Sequence, residues 1–332
     1  MKLKLNGVSL LWRKKNFRRA FQILWVTVVF LCISFAIGKN WKAISDVEWS
    51  LSSVGLICAA LLSSFLRRLA GGMRWAWIIQ LFKTDGLPIS LRDNLRVYFI
   101  TNLGTYLPGT YWFIPARMMM NSKYGLSNIQ TGICTVFEHL MLVLSGALLG
   151  ILGMDILVSA LHLPLASFRW MFAAIIFGLI SIHPAVIRFL MNTMAKILRE
   201  PLGSYHFSYT TTLLHLLWSV LIWLLGSIAL LLLALVFVPT LSWQDLPAFS
   251  SVFAISWLLG FFTPFAPGGL GVREGFMGLA FGLLGIPIGV SMVIAMLSRL
   301  LIVVEDLFWA AYSVLLLKES RVDDAACKSS FE

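Results

Sequence analysis

Phe262-Thr-Pro-Phe-Ala-Pro-Gly-Gly-Leu-Gly-Val-Arg-Glu-Gly275 lies between two long apolar runs, and its composition contradicts both of them. It holds two prolines, four glycines and the adjacent charges Arg273 and Glu274. Pro264 and Pro267 donate no backbone hydrogen bond, and Gly268, Gly269 and Gly271 tolerate positive φ, so a straight helix breaks here. At membrane depth such backbone survives only where protein or a water-filled cavity satisfies its polar groups. Ionisable residues on a broken element mark a functional site by default. The plainer alternative is a solvent-exposed loop.

The rest of the chain decides which setting applies. Of 332 residues, 59% are hydrophobic and 12% charged, which excludes a soluble domain. Mean hydropathy is +0.87, and several runs reach the ~20 residues that cross a ~30 Å hydrocarbon layer. The net charge of +11 then reads as basic cytoplasmic loops and attraction to anionic lipid, with no nucleic-acid partner. Cys32, Cys58, Cys134 and Cys327 have no metal-ligand spacing, and the five histidines form no HExxH cluster. No metal, cofactor or catalytic residue is expected.

In order, a basic N-terminus (1–20) precedes an apolar run at 21–38. A cleaved signal peptide ending near Ser34-Phe35-Ala36 competes with a retained first span there. A second span at 51–73 ends in Arg67, Arg68 and Arg74, expected to snorkel to the inner interface, with Trp75, Trp77 and Phe82 in an aromatic belt. Ser90 and Asp93 cap an interfacial helix whose Arg92 and Arg96 form a solvated basic face. A second broken segment, Asn102 to Arg117, carries Pro108, Gly109 and Pro115. Spans follow at 126–153, 167–183, 210–238 and 287–317, and then a tail, 318–332. With the N-terminus inside, 21 of the 26 basic residues fall on the inner side and three on the outer. Both termini are therefore expected in the cytoplasm, at a cytoplasmic (inner) cell membrane.

The fold class read from this pattern is all-α integral membrane, in a single polytopic domain at 21–317. It has about six full spans plus two broken re-entrant segments. Each half reads span, span, broken Pro-Gly segment, span, so 21–153 and 167–317 form pseudo-repeats of opposite orientation. Pro108-Gly109 with Arg117 echoes Pro267-Gly268 with Arg273, and Tyr124-Gly125-Leu126-Ser127 echoes Leu284-Gly285-Ile286-Pro287. Glu138, 13 residues after Gly125, and Arg299, 14 after Gly285, then sit at nearly matching depths with opposite charge. Isolated charges are costly in lipid, so both are expected to face inward, paired with each other or with Arg117, Arg273 and Glu274.

On these motifs the chain resembles the lysylphosphatidylglycerol synthase transmembrane-region family, a flippase-like membrane domain. The likeness rests on Arg74-Trp75, Asn102 through Gly109, Arg117, Gly125-Leu126-Ser127, Glu138, Pro264, Pro267 through Glu274, Gly285-Ile-Pro287 and Ser298-Arg299. His139 departs from it, because the family often has arginine after the glutamate. The resemblance implies movement of a lipid, or of a lipid-linked headgroup, between leaflets. Longer relatives add a soluble aminoacyltransferase domain, which this chain, ending at Glu332, is expected to lack.

The expected function is therefore flippase-like translocation of an anionic phospholipid or a polyprenyl-phosphate-linked glycan. Arg117, Arg273 and Arg299 would hold phosphate, and Glu138 and Glu274 would hold the arginines. Asn102, Pro108, Gly109, Pro267, Gly268, Gly269 and Gly271 would shape the passage. Two alternatives stay open. One is a non-transporting subunit working with envelope-biosynthesis enzymes. The other is a membrane-embedded lipid-phosphate enzyme, for which the sequence offers no nucleophile–base set. In the translocation reading the expected partner is a membrane lipid or lipid-linked glycan, and no oligomeric state is specified.

Overall fold

A computed structural model describes residues 49–81, 89–107, 111–152, 208–263 and 266–329, with isolated positions outside these stretches. The spans expected at 21–38 and 167–183, Phe82, Pro108 and Gly109 lie outside them. Among the described residues all regular structure is helical. In chain order the helices are α1 (Leu51–Leu81), α2 (Leu91–Asn102), α3 (Phe113–Asn121), α4 (Asn128–Leu152), α5 (Tyr209–Leu235), α6 (Leu246–Phe261), α7 (Val272–Leu283) and α8 (Ile288–Ser329). Short 3₁₀ turns at Leu103–Tyr106 and Pro267–Gly269 mark the two Pro/Gly segments.

Local chemistry sets these boundaries. Ser90 accepts the Asp93 N–H at 3.1 Å to start α2, and Ser208 accepts the Thr211 N–H at 3.0 Å to start α5. Asp245 accepts the Ser242 N–H at 2.7 Å in a capping box ahead of α6. The two broken halves end alike. Gly125 at φ +83° and Gly285 at φ +85° are left-handed. Each sends its N–H back three residues, at 3.2 and 3.1 Å, and the next residue's N–H reaches back five. These are helix stops that only glycine makes cheaply.

α1, α4, α5 and the first part of α8 (Ile288–Leu315) are long and apolar enough to cross a membrane. Their polarity is inverted relative to a soluble protein. Leu62, Leu66, Leu217, Leu307 and Phe308 are exposed, while Arg74, Arg117, Glu138 and Glu305 are buried. In lipid, helices associate through close packing and interhelical hydrogen bonds rather than through apolar burial. That pattern is present: Gly146 lies against the Trp223 indole, whose N–H donates to Ser145 Oγ at 3.0 Å on α4.

The helices repeat in arrangement as well as in order. α2 packs on α8 as α6 packs on α4, and α3 packs on α4 as α7 packs on α8. α1 packs on α5, its counterpart. Along that pair Ala60 meets Leu232 and Leu233, Ser63 donates to the Leu225 carbonyl at 2.8 Å, and Trp77 covers His215 at 4.0 Å. Numbers rise along one helix and fall along the other, so the two are antiparallel.

Three expectations are corrected. α1 runs to Leu81 instead of ending at 73, because Arg74 and Trp75 are fully buried rather than at an interface. Trp77 faces His215, not a headgroup belt. α2 is no solvated interfacial helix: Arg92 and Leu91 are exposed, yet Asn94, Arg96, Tyr98, Phe99 and Asn102 are buried between α1 and α8. Arg96 holds Asp93 at 2.7 Å, and Tyr124 donates to the same carboxylate at 3.3 Å. Burial, and then that carboxylate, lift the Tyr124 phenol above its usual pKa.

Candidate functional site

The Pro/Gly segment adopts its shape for reasons visible in its residues. Gly268, Gly269 and Gly271 have φ of +61°, +73° and +85°. A Cβ on Gly269 would lie 2.7 Å from the Gly260 Cα and 2.9 Å from the Arg273 Cδ. The glycines therefore let the broken segment lie directly on α6, with the Arg273 stem between them. α7 starts immediately after, at Val272, where Glu274 accepts the Gly271 N–H at 2.6 Å.

The first broken segment comes to meet it. The Leu103–Tyr106 turn contacts the Pro267–Gly269 turn, and a Cβ on Gly268 would stand 3.7 Å from the Thr105 carbonyl. Tyr106 donates to Asp306 on α8 at 2.7 Å, and the Arg299 guanidinium lies 5.6 Å from the Tyr106 ring. Beneath this junction is a cavity of about 110 Å³ lined by both halves. Arg67, Arg68, Arg74, Arg117, Arg273 and Arg299 line it, with Glu138, Asp306, Tyr98, Asn102 and Trp257.

Most of these cations are already committed. Arg117, on α3, pairs with Glu138, and its other donors reach Asn102 Oδ1 at 3.0 Å and Thr101 Oγ1 at 3.3 Å. Its guanidinium also lies 4.3 Å from the Trp75 ring centre and 4.8 Å from that of Tyr98. Arg74 reaches the other Glu138 oxygen at 3.4 Å and donates to Ser219. Arg67 pairs with Glu305, which also accepts from Ser64 at 2.5 Å. Arg68 bridges Glu305 at 3.3 Å and Asp306. Arg299 donates to the Gly268 carbonyl at 2.7 Å and faces Glu274 at 3.7 Å.

Arg273 differs. Its side chain lines the cavity at 9% exposure, and it makes no hydrogen bond or ion pair among the described residues. A guanidinium offers five donors and no acceptor. Burying one without an anion is costly at membrane depth, about 2.5–3.5 kcal/mol by insertion scales. The arrangement is thus a polar chamber lined by cationic and hydrogen-bond-donating side chains.

Glu138 and Arg299 are interior, as expected, but they do not pair with each other. Each bonds the short helix of its own half, with the polarity reversed: Arg117 with Glu138, Glu274 with Arg299. Arg67, Arg68 and Arg74 do not snorkel, because α1 lies inside the bundle and Glu305, Asp306 and Glu138 compensate them there. Sequence reasoning missed Glu305 and Asp306. The available signal was two adjacent carboxylates in an apolar span. Arg74 supplies Glu138 with the second guanidinium that the histidine at 139 does not.

Exposed apolar spans around a buried charged chamber define a multi-pass helical membrane protein. Residues 22–306 match the family model described as the lysylphosphatidylglycerol synthase TM region, so the chain belongs to that family. No curated protein and no solved structure matches it.

Proposed function

We propose that this protein is a flippase-like carrier for the phosphate-bearing headgroup of an anionic phospholipid or polyprenyl-phosphate-linked glycan. It would act in the cytoplasmic membrane with both termini inside. The single observation that carries the reading is Arg273, buried in a chamber where the two broken segments meet and making no hydrogen bond or ion pair among the described residues. Its physical task is to move a charged group through a layer that rejects charge.

In this reading six full spans enclose two re-entrant segments, and the antiparallel pairing of α1 with α5 supports an inverted-topology repeat. Arg273 takes the phosphate by charge-assisted hydrogen bonds. Arg299 joins it when the anion competes with Glu274, whose contact is already long. Glu138 and Asn102 keep Arg117 fixed as the floor of the chamber. Pro267, Gly268, Gly269 and Gly271 give the backbone its close approach, the part that the reading also gives to Pro108 and Gly109 in the first half. Both halves offer the same elements in reverse, so the chamber can open to either leaflet by rocking one half against the other.

The proposal is carriage rather than catalysis, with envelope-biosynthesis enzymes as candidate partners. The test is leaflet exchange in proteoliposomes, using fluorescent phosphatidylglycerol and a fluorescent polyprenyl phosphate. Wild type should exchange at least one of them above protein-free vesicles, and Arg273→Met should not. Equal rates in wild type, Arg273→Met and empty vesicles across the panel would leave the non-transporting subunit as the better account.

A further inference from the structure

The charged chamber has a neighbour. A groove of about 360 Å³, more than three times its volume, lies between α3, α4 and the end of α6. The two share Phe113, His139 and Phe261 as lining residues. These three rings form a stack: Phe113 on His139 at 4.6 Å, and His139 on Phe261 at 5.6 Å, both near parallel. Its two outer rings come from α3 and α6, so the stack is a partition between spaces, pinned at both edges.

The groove is lined mainly by apolar side chains. Val136, Leu140 and Val143 form one face of α4, with Ile114 and Phe262 opposite. The polar side chains on the wall already donate to protein carbonyls. Thr135 bonds Thr131 at 2.8 Å, Tyr111 bonds Phe261 at 2.7 Å, and His139 Nδ1 bonds Thr135 at 2.8 Å. His139 is the twelfth residue of the 25-residue α4, so the groove sits near mid-span, at the depth of acyl chains. A water-soluble anion would use the chamber and leave this groove unfilled.

We infer that the groove seats a hydrocarbon chain of the same molecule whose phosphate enters the chamber, with the Phe113–His139–Phe261 stack separating head from tail. This rests on the carrier reading above and adds the requirement for a chain of defined entry point. It makes the substrate an amphiphile, excluding a free phosphate or a free glycan phosphate.

Two measurements on the detergent-purified chain test it. In the first, binding of hexadecyl phosphate and of ethyl phosphate is compared in wild type, Val143→Trp and Arg273→Met. Val143→Trp should weaken hexadecyl phosphate about tenfold, the loss of roughly two buried methylenes, and leave ethyl phosphate unchanged. Arg273→Met should weaken both. If Val143→Trp binds both like wild type while Arg273→Met weakens both, the groove is wrong and the chamber stands. If Arg273→Met weakens neither, the chamber falls and takes the groove with it. In the second, wild type is photolabelled with an alkyl phosphate carrying a terminal diazirine, which needs no variant to fold. Label on residues 111–114, 136–143 or 261–262 that excess hexadecyl phosphate removes supports the inference. Label elsewhere, or label indifferent to the competitor as for bulk lipid, overturns it.

Discussion

Arg117 and Arg273 lie on corresponding short helices, α3 and α7, yet Arg117 is paired with Glu138 while Arg273 makes no hydrogen bond or ion pair among the described residues, and removing each should have opposite consequences. Arg117→Met strips Glu138 of its closest cation and deletes hydrogen bonds to Asn102 (3.0 Å) and Thr101 (3.3 Å). Arg74 stays on the other Glu138 oxygen, at 3.4 Å. Breaking one side of a buried pair costs about 3–5 kcal/mol, and the residual Arg74 contact places this variant at the lower end, ~3 kcal/mol. Arg273→Met deletes no side-chain hydrogen bond among the described residues, and methionine keeps the stem that lies over Gly260 and Gly269. Its stability should match or exceed that of wild type, by at most about 2.5–3.5 kcal/mol, because a costly buried charge is removed. Binding reverses the ranking. One charge-assisted contact is worth about 1.5–3 kcal/mol, so Arg273→Met should lose roughly tenfold to a hundredfold in affinity for a phosphate amphiphile. Thermal unfolding monitored by tryptophan fluorescence in detergent, paired with calorimetric binding, reads both quantities. Equal Tm losses for the two variants, or undiminished binding by Arg273→Met, would refute the division of labour.

Glu138→Gln leaves Arg74 and Arg117 buried without a counter-charge, so it should destabilise by about 3 kcal/mol or more and should not be read as a clean transport knockout; Tm alone checks this. Asp306→Asn keeps the Tyr106 contact but removes a charge from Arg68, and should cost less than Glu305→Gln, which uncouples Arg67, Arg68 and Ser64 together; ranking their Tm values decides it. Gly125→Ala and Gly285→Ala have open space for a methyl group and nearly equal φ, so each should cost the same ~1 kcal/mol, and a large inequality would speak against equivalent helix stops. Gly269→Ala adds a 2.7 Å contact with the Gly260 Cα to the same backbone penalty, and should lose more than either in the same melting experiment.

The amino-acid sequence alone determined the setting and the breakpoints. Hydropathy required a helical membrane protein, because only internally hydrogen-bonded helices or closed barrels survive in lipid. Proline and glycine required breaks at Pro267–Gly271, because the missing donor and the positive φ act within a few residues. The matching of Gly125 with Gly285, and of Glu138 with Arg299, was legible for the same reason: spacing along one helix is a local quantity. Partners were not. Whether Glu138 meets Arg299 or Arg117, and whether Arg67 and Arg68 snorkel or turn inward to Glu305 and Asp306, depends on which helices touch. Packing between α1, α5 and α8 sets that, not residue type. Only the tertiary structure leaves the Arg273 side chain without a hydrogen bond or ion pair among the described residues, since that depends on Glu138, Glu305 and Asp306 being met by arginines of other helices.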